Sequence, residues 1–510
     1  MPKKTLAAWS LVLCLCLGML QGCTQDARES APTTEPTQSA SPSDPSENPR
    51  ALAFGLSYQA DAGLNPYTCT RLVNRSILSL LYQGLFAVTS QYRAEPVLCQ
   101  SYRASEDLKT YTFTLVPATF SDGSALTAQD AAASLQAAMG SPVYGNRLQH
   151  VTSVAAAEDG SLVVILDTAY ENLPLLLDIP IVRAQDVEAE QPLGTGPYAL
   201  SGQGGSLRLQ RRGDWWSEYP AAVEFDSIVL SEARSPSDIR DQFEFGETDV
   251  VCADPGSSSY VEYRCDYELW DCATGILLYL GCNRGGGVFA SGSIRAALTH
   301  AVDRSSLAGV YRGFAEPACL PASPSADYYD EDLAAQYGYH PDKFTSALSN
   351  AGMRNTNATL LVCSDDPVRV TAAEAVAQAL TDCGLKTTVN AKGQSDYQAA
   401  LESGNFDLYL GEIRLSPNFD LSPFFQEGGS LPYGGMTSAE RYALCLAALE
   451  NSGNYYDLHQ AVMEDGQLCP LLVRTYAVYA TRGAASSLLP GLDNVFHTAN
   501  SRQLADAKES

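Results

Sequence analysis

Three side chains follow an apolar, strand-like run, and their types decide what they could hold. The run is Phe406–Leu410, and Glu412, Arg414 and Asp420 come after it. Pro417 and Pro423 keep the segment out of regular structure. Open α/β sheets bind ligands beyond the carboxyl ends of their strands, so this stretch is expected at the edge of a cleft. A carboxylate there suits an amine, and a guanidinium suits a carboxylate or another anion. A buried Arg414 needs an anionic partner, either from the ligand or from a protein carboxylate such as Glu412. Trp215-Trp216 is a second pair of interest, able to stack on a ligand or to pack within the body.

Catalytic patterns are missing. There is no GxSxG elbow, no HExxH and no P-loop lysine. Gly285-Gly286-Gly287 lacks the Lys and Ser/Thr that phosphate cradling needs, and reads as a flexible loop. The five histidines include no HxxxH pair, and no two cysteines form CxxC. Neither a zinc site nor a redox site is expected, so no catalytic residue, metal or cofactor is assigned. Carboxylates are many, but no pair stands out as a glycosidase couple. The chain reads as a non-enzyme.

Charge and length narrow the class further. The chain has 510 residues, enough for two to four domains, with 59 acidic against 32 basic residues and a formal charge of -27. Nucleic acid is excluded as a partner, because phosphate binding needs a basic surface. Lys3 and Lys4 precede an apolar run from Leu6 to Leu20, shorter than the roughly 20 residues a spanning helix needs. It ends in Leu20-Gln21-Gly22-Cys23, which resembles the lipobox of bacterial lipoproteins. That resemblance implies a signal peptide over residues 1–22, lipid on Cys23, and an extracytoplasmic protein anchored to the cell membrane. Residues 23–50 are rich in Ser, Thr and Pro and read as a flexible tether. Of 14 cysteines, Cys14 and Cys16 leave with the signal and Cys23 takes lipid. The remaining number is odd, so at least one thiol stays unpaired, and most are expected as small apolar fillers.

Regular elements must position these groups. Ala51–Tyr58 reads as a strand. Leu72, Ile77, Leu80, Leu81 and Leu85 repeat at helical spacing over Arg71–Phe86, with Gly84 near the expected end. Thr110–Val116 alternates, with Tyr111, Phe113 and Leu115 on one face, and Ser161–Asp167 reads as another strand. Thr127 and Asp130 form a capping-box variant opening a helix over Ala128–Met139. Asp303-Arg304 is expected as a local ion pair or a helix-terminus interaction. Strands Thr359–Cys363, Leu385–Val389 and Phe406–Leu410 alternate with helices Thr371–Cys383 and Asp396–Ser403, the pattern of a parallel doubly wound sheet.

Five stretches resemble one family, in family order. They are Leu64-Asn65-Pro66 with Leu81-Tyr82-Gln83-Gly84-Leu85; Glu95-Pro96-Val97-Leu98 through Ser134-Leu135; Gly194-Thr195-Gly196-Pro197-Tyr198; Ile294-Arg295-Ala296-Ala297-Leu298; and Ala301-Val302-Asp303-Arg304. The chain thereby resembles the extracellular solute-binding proteins of ABC transporters, family 5, which bind peptides or nickel. The resemblance implies a type II periplasmic-binding-protein-like α/β fold: two α/β lobes with a hinge and an extra family-specific domain. It divides the chain into a first lobe (51–86, 190–274 and 483–510), an inserted domain (87–189) and a second lobe (275–482). Crossings are then expected near Thr274–Gly275 and Arg482–Gly483. It implies a monomer that captures a peptide or other small solute and delivers it to an ABC permease complex. A non-peptide ligand (metal chelate, sugar or signal molecule) feeding a sensor is the alternative. In peptide-binding members an amine-anchoring Asp follows a strand, in a pattern like GW-ADYPDP-NFL. Here Glu412 replaces the Trp and Arg414-Leu415 occupies the neighbourhood of the Asp-Tyr. Amine capture then falls to Glu412 or Asp420, and Arg414 favours an anion.

Overall fold

The computed structural model describes residues 54–485 and 488–497. The expected signal peptide (1–22), the expected lipid site Cys23, the expected tether (23–50) and the last part of the tail lie outside the described residues. Strand β1 (Phe54–Tyr58) is buried along its whole length. Helix α1 (Leu72–Leu81) turns Val73, Ile77, Leu78, Leu80 and Leu81 inward. It stops at Leu81, earlier than the apolar spacing suggests, because the chain then enters a short strand at Gln83–Gly84 against Pro180–Ile181. Gly84 therefore serves a close backbone approach and not a helix end. A Cβ there would meet the Phe86 carbonyl oxygen at 2.8 Å and the Asp178 carbonyl carbon at 2.9 Å.

A four-stranded antiparallel sheet follows: β2 (Cys99–Ala104), β3 (Thr110–Leu115), β4 (Val151–Ala156) and β5 (Leu162–Leu166), in the order β2-β3-β5-β4. Tyr111 and Phe113 of β3 are buried, as the alternation requires, while Leu115 is half-buried. Helix α2 (Ala128–Met139) packs on this sheet and opens with the expected box. The Thr127 N–H donates to Asp130 at 2.9 Å and the Asp130 N–H to Thr127 Oγ1 at 3.4 Å.

The chain then supplies β6 (Tyr198–Ser201), β7 (Arg208–Arg211), β8 (Ser227–Glu232), β9 (Val250–Ala253), the long β10 (Glu268–Cys282) and β11 (Ala315–Pro317). Asp303 and Arg304 do not pair with each other. Asp303 caps a short helix by accepting the Ser305 N–H at 3.0 Å, and Arg304 is buried, donating to the Pro470 carbonyl at 2.9 Å. The expected strand–helix alternation is present as β12 (Asn357–Cys363), α3 (Pro367–Asp382), β13 (Lys386–Lys392), α4 (Gln394–Ser403) and β14 (Leu408–Arg414). Strand β15 (Leu468–Ala480) completes one eleven-stranded sheet, ordered β6-β7-β8-β1-β9-β15-β10-β14-β12-β13, with β11 also on β15. Strands β12, β13 and β14 are mutually parallel where they pair, but β14 runs antiparallel to β10.

Two strands join the halves of this sheet. Strand β10 slips register between Ala273 and Ile276, at Gly275, whose φ is +70°. Strand β15 pairs with β11 up to Arg474 and with β9 from Ala477. The change of partner thus lies inside the strand, several residues before the Arg482–Gly483 crossing expected from the sequence. No disulfide joins two of the eleven cysteines of the described residues, and nine of the eleven are buried. Among the described residues no helix is long and apolar enough to cross a membrane, and no cluster of metal-ligating side chains occurs.

Candidate functional site

Helix α1 carries two polar residues one turn apart, Arg75 and Ser79, on the side away from its buried leucines. They face a cavity of about 120 Å³. Six separate stretches of chain wall it: α1 with the segment through Val88, Val97, Tyr144 with Arg147, Asp178 with Pro180, Trp215 with the segment through Tyr219, and residues 492–497.

The tryptophans are fixed by backbone. Both indole N–H groups donate to the Thr195 carbonyl at 3.1 Å, and that of Trp216 also reaches Gln83 Oε1 at 3.1 Å. The pair is thus anchored in the body and still lines the cavity.

The electrostatics are uneven. Arg147 pairs with Asp178, their side chains only 10% and 13% exposed, and its guanidinium lies 5.4 Å from the Tyr144 ring centre. Burial pushes the Asp178 carboxyl above its ordinary value, with Arg147 opposing. Arg414 pairs with Asp493, a cavity residue, and donates to the Tyr476 hydroxyl and, at 3.0 Å, to the Thr274 carbonyl. Burial works against the Arg414 charge, but Asp493 and Tyr476 outweigh it and hold the pKa above the ordinary arginine value. Arg75 has no ion pair within 4 Å, and its buried Nη1 has no hydrogen-bond partner. Ser79 Oγ, Asn494 Oδ1 and His497 Nδ1 are buried without partners at the same cavity. His497 Nε2 sits 3.2 Å from Glu95, yet burial pushes its imidazole pKa down. Buried polar groups are nearly always satisfied, so four unsatisfied atoms around one space mark it as a place for a polar guest.

The residues singled out from the sequence go to three places. Strand β14 continues past Leu410 to Arg414, because Glu412 and Arg414 pair with Leu278 and Ile276 of β10. Those two residues are therefore in a strand and not in a loop. Glu412 does not meet Arg414: its carboxylate accepts from Arg474 at 2.7 Å and from Arg369 at 3.4 Å. Arg474 also pairs with Asp254, and Arg369 with Asp366 at 3.0 Å. Asp420 is buried elsewhere. It accepts from the Ser422 N–H at 2.9 Å and from Gln149 at 2.8 Å, beside a smaller cavity lined by Tyr170 and Asn418. Of Glu412, Arg414 and Asp420, only Arg414 comes near the cavity beside α1, through its pair with Asp493. Sequence reasoning missed Arg75, Arg147, Asp178 and Asp493. A signal existed for one: Arg75 is the single charged residue of the α1 segment Leu72–Leu81.

Residues 93–430 match the family model described as bacterial extracellular solute-binding proteins, family 5 Middle. The glutathione-binding protein GsiB of Escherichia coli strain K12 is 24% identical over 388 residues, covering 71% of this chain and 75% of GsiB. The crystal structure of the ABC transporter substrate binding protein CtaP from Listeria monocytogenes superposes with a TM-score of 0.71 at 18% identity. The alignment covers 87% of this chain and 97% of CtaP. NikA from Brucella suis, solved in complex with Fe(III)-EDTA, gives a TM-score of 0.66 at 20% identity, covering 86% of this chain and 98% of NikA. The fold is thus that of type II periplasmic binding proteins, and the relatives are binding proteins and not enzymes. The family match spans well over half of the sequence, and the chain belongs to the bacterial extracellular solute-binding proteins, family 5, the substrate-binding components of ABC importers.

Proposed function

We propose that this chain is the lipid-anchored, extracytoplasmic receptor of an ABC importer, capturing a peptide-sized solute and passing it to the permease as a monomer. The cavity beside α1 carries the reading. It is built from six stretches of chain, and its walls hold buried polar atoms that no protein group satisfies. The similarity to GsiB supports a cargo of tripeptide size, since glutathione is a tripeptide.

In this reading residues 51–86, 190–274 and 483–510 are the first lobe, 87–189 the inserted domain and 275–482 the second lobe. Several polar contacts then join the second lobe to the rest. Gln149 meets Asp420 at 2.8 Å, Arg93 meets Asp327 at 2.7 Å, and the Ser452 N–H donates to Glu171 at 2.8 Å. Arg414 adds its pair with Asp493. Such contacts belong to a closed cleft, and solute release breaks them while β10 and β15 twist at Gly275 and at Arg474–Ala477.

Native mass spectrometry of gently purified protein, with calorimetry against a mixed tripeptide library, tests the capture. One solute per chain, lost on unfolding, is expected. A chain with no adduct and no heat from the library overturns the peptide reading. Replacing Cys23 by Ser should move the protein from the membrane fraction to the soluble fraction, and retention in the membrane overturns the anchor. A non-peptide cargo, such as a carboxylate-rich metal chelate, is the second reading. The Arg75 guanidinium, unpaired at the cavity, favours it.

A further inference from the structure

We propose that the solute carries a carboxylate and that Arg75 is the residue that takes it. The inference rests on the reading of the cavity beside α1 as the solute site. The cavity wall carries two arginines, Arg75 and Arg147, and two aspartates, Asp178 and Asp493, and both aspartates are already paired. Arg147 is matched by Asp178, and Arg414 by Asp493. Asp493 is also the acid whose field reaches Arg75, and it is already taken. Arg75 is left without an ion pair, and its Nη1 is shut off from water and has no acceptor.

A buried guanidinium cannot relieve this by giving up its proton, because its pKa is far above neutrality. It needs an anion. One unpaired guanidinium suits a monoanionic group, and the planar fork of arginine suits the two oxygens of a carboxylate. The neighbouring orphans fit the same guest. Ser79 Oγ can donate to one carboxylate oxygen, and Asn494 Oδ1 and His497 Nδ1 remain for polar groups beyond it. The Trp215 and Trp216 side chains line the same space and offer apolar surface to the body of the solute.

The probe is a small-molecule extract of the producing cells, divided in two. One half is mock-treated. In the other, carboxylates are converted to methylamides with a carbodiimide and methylamine. Full-length protein, stripped of bound solute by partial unfolding and refolded, is offered each half, and captured solutes are read by native mass spectrometry. Wild type should capture from the mock-treated half and at least tenfold less from the amidated half. Arg75→Gln should lose the mock-treated capture, and Arg75→Lys should keep part of it. Both variants should melt within a few degrees of wild type without solute, which separates lost binding from lost folding. Equal capture from both halves, or unchanged capture by Arg75→Gln, overturns the proposal. Capture from the amidated half that disappears in Arg75→Gln overturns the carboxylate and leaves another anion. If wild type captures nothing from either half, the solute-binding reading of the cavity itself fails.

Discussion

Two clusters of arginines and acids lie in this molecule, and they are built differently. Where β15 passes from one half of the sheet to the other, Arg474 is held by Glu412 and Asp254, and Arg369 by Glu412 and Asp366. Every charge there has an opposite charge. Arg474 also lies over the Tyr311 ring, 5.0 Å from its centre, and its side chain is only 3% exposed. Beside α1, by contrast, Arg147 and Arg414 are matched and Arg75 is not. A closed network holds a fold together, and an open one waits for a partner. Burial of charge, taken alone, does not separate the two cases; the count of partners does.

The largest effect is expected in the closed cluster. Arg474→Met leaves two carboxylates beside a buried gap, and breaking a buried ion pair from one side costs about 3–5 kcal/mol. Urea unfolding without solute should show a loss of that order, and a loss below about 1 kcal/mol would mean that the network is not structural.

His459 supplies the next test, because it shows that an unpartnered buried group can be inert. Both of its ring nitrogens lack partners, and the residue is fully buried in a packed core. Burial pushes its pKa down from 6.5 to about 3, with Asp330 opposing. An imidazole escapes by staying neutral, which a guanidinium cannot do. Between those two pH values the unfolded chain binds a proton that the folded chain refuses. Stability from this group is therefore complete above about pH 6.5 and falls as the pH drops toward 3, by up to about 1.4 kcal/mol per unit. The slope of unfolding free energy between pH 6.5 and 5 should flatten in His459→Leu. An unchanged slope would place the acid sensitivity elsewhere.

Gln149→Ala should cost less, about 0.5–1.5 kcal/mol, as for a single hydrogen bond, since Asp420 keeps its bonds to Ser422. The midpoint of thermal unfolding measures it, and no shift at all would count against that contact between the four-stranded unit and the rest. The smallest effect belongs to Arg75. Arg75→Met should leave solute-free stability within about 1 kcal/mol of wild type, or raise it, because an unmatched charge contributes nothing to hold the fold. A loss like that of Arg474→Met would mean that Arg75 has a partner within the protein.

Legibility in the sequence followed the range of the interactions. The cap at Thr127, the buried alternation at Tyr111 and Phe113, and the strand–helix run from β12 to β14 rest on contacts a few residues apart. Such contacts are written in spacing. The end of β14 was misjudged because Glu412 and Arg414 are poor strand formers, carried there by pairing with β10 more than a hundred residues earlier. The end of α1 was misjudged because a backbone approach from Asp178, and not a cap, stops it. Partner choice was least legible. Glu412 and Arg414 sit two apart on one face of a strand, but Glu412 turns to Arg474 and Arg414 to Asp493. Asp493 lies in a tail segment with no pattern to announce it.

The cysteines have a consequence of their own. No disulfide joins two cysteines of the described body, and nine of the eleven are buried. Folding therefore needs no oxidant and no disulfide exchange catalyst, and cannot be trapped by a wrong pairing among these sulfurs so long as they stay reduced until buried. The body's stability does not track the redox state of its surroundings either. The thiols become a clock instead: each reacts with a labelling reagent only when its own part of the core opens, so their separate rates would report which half of the molecule breathes first.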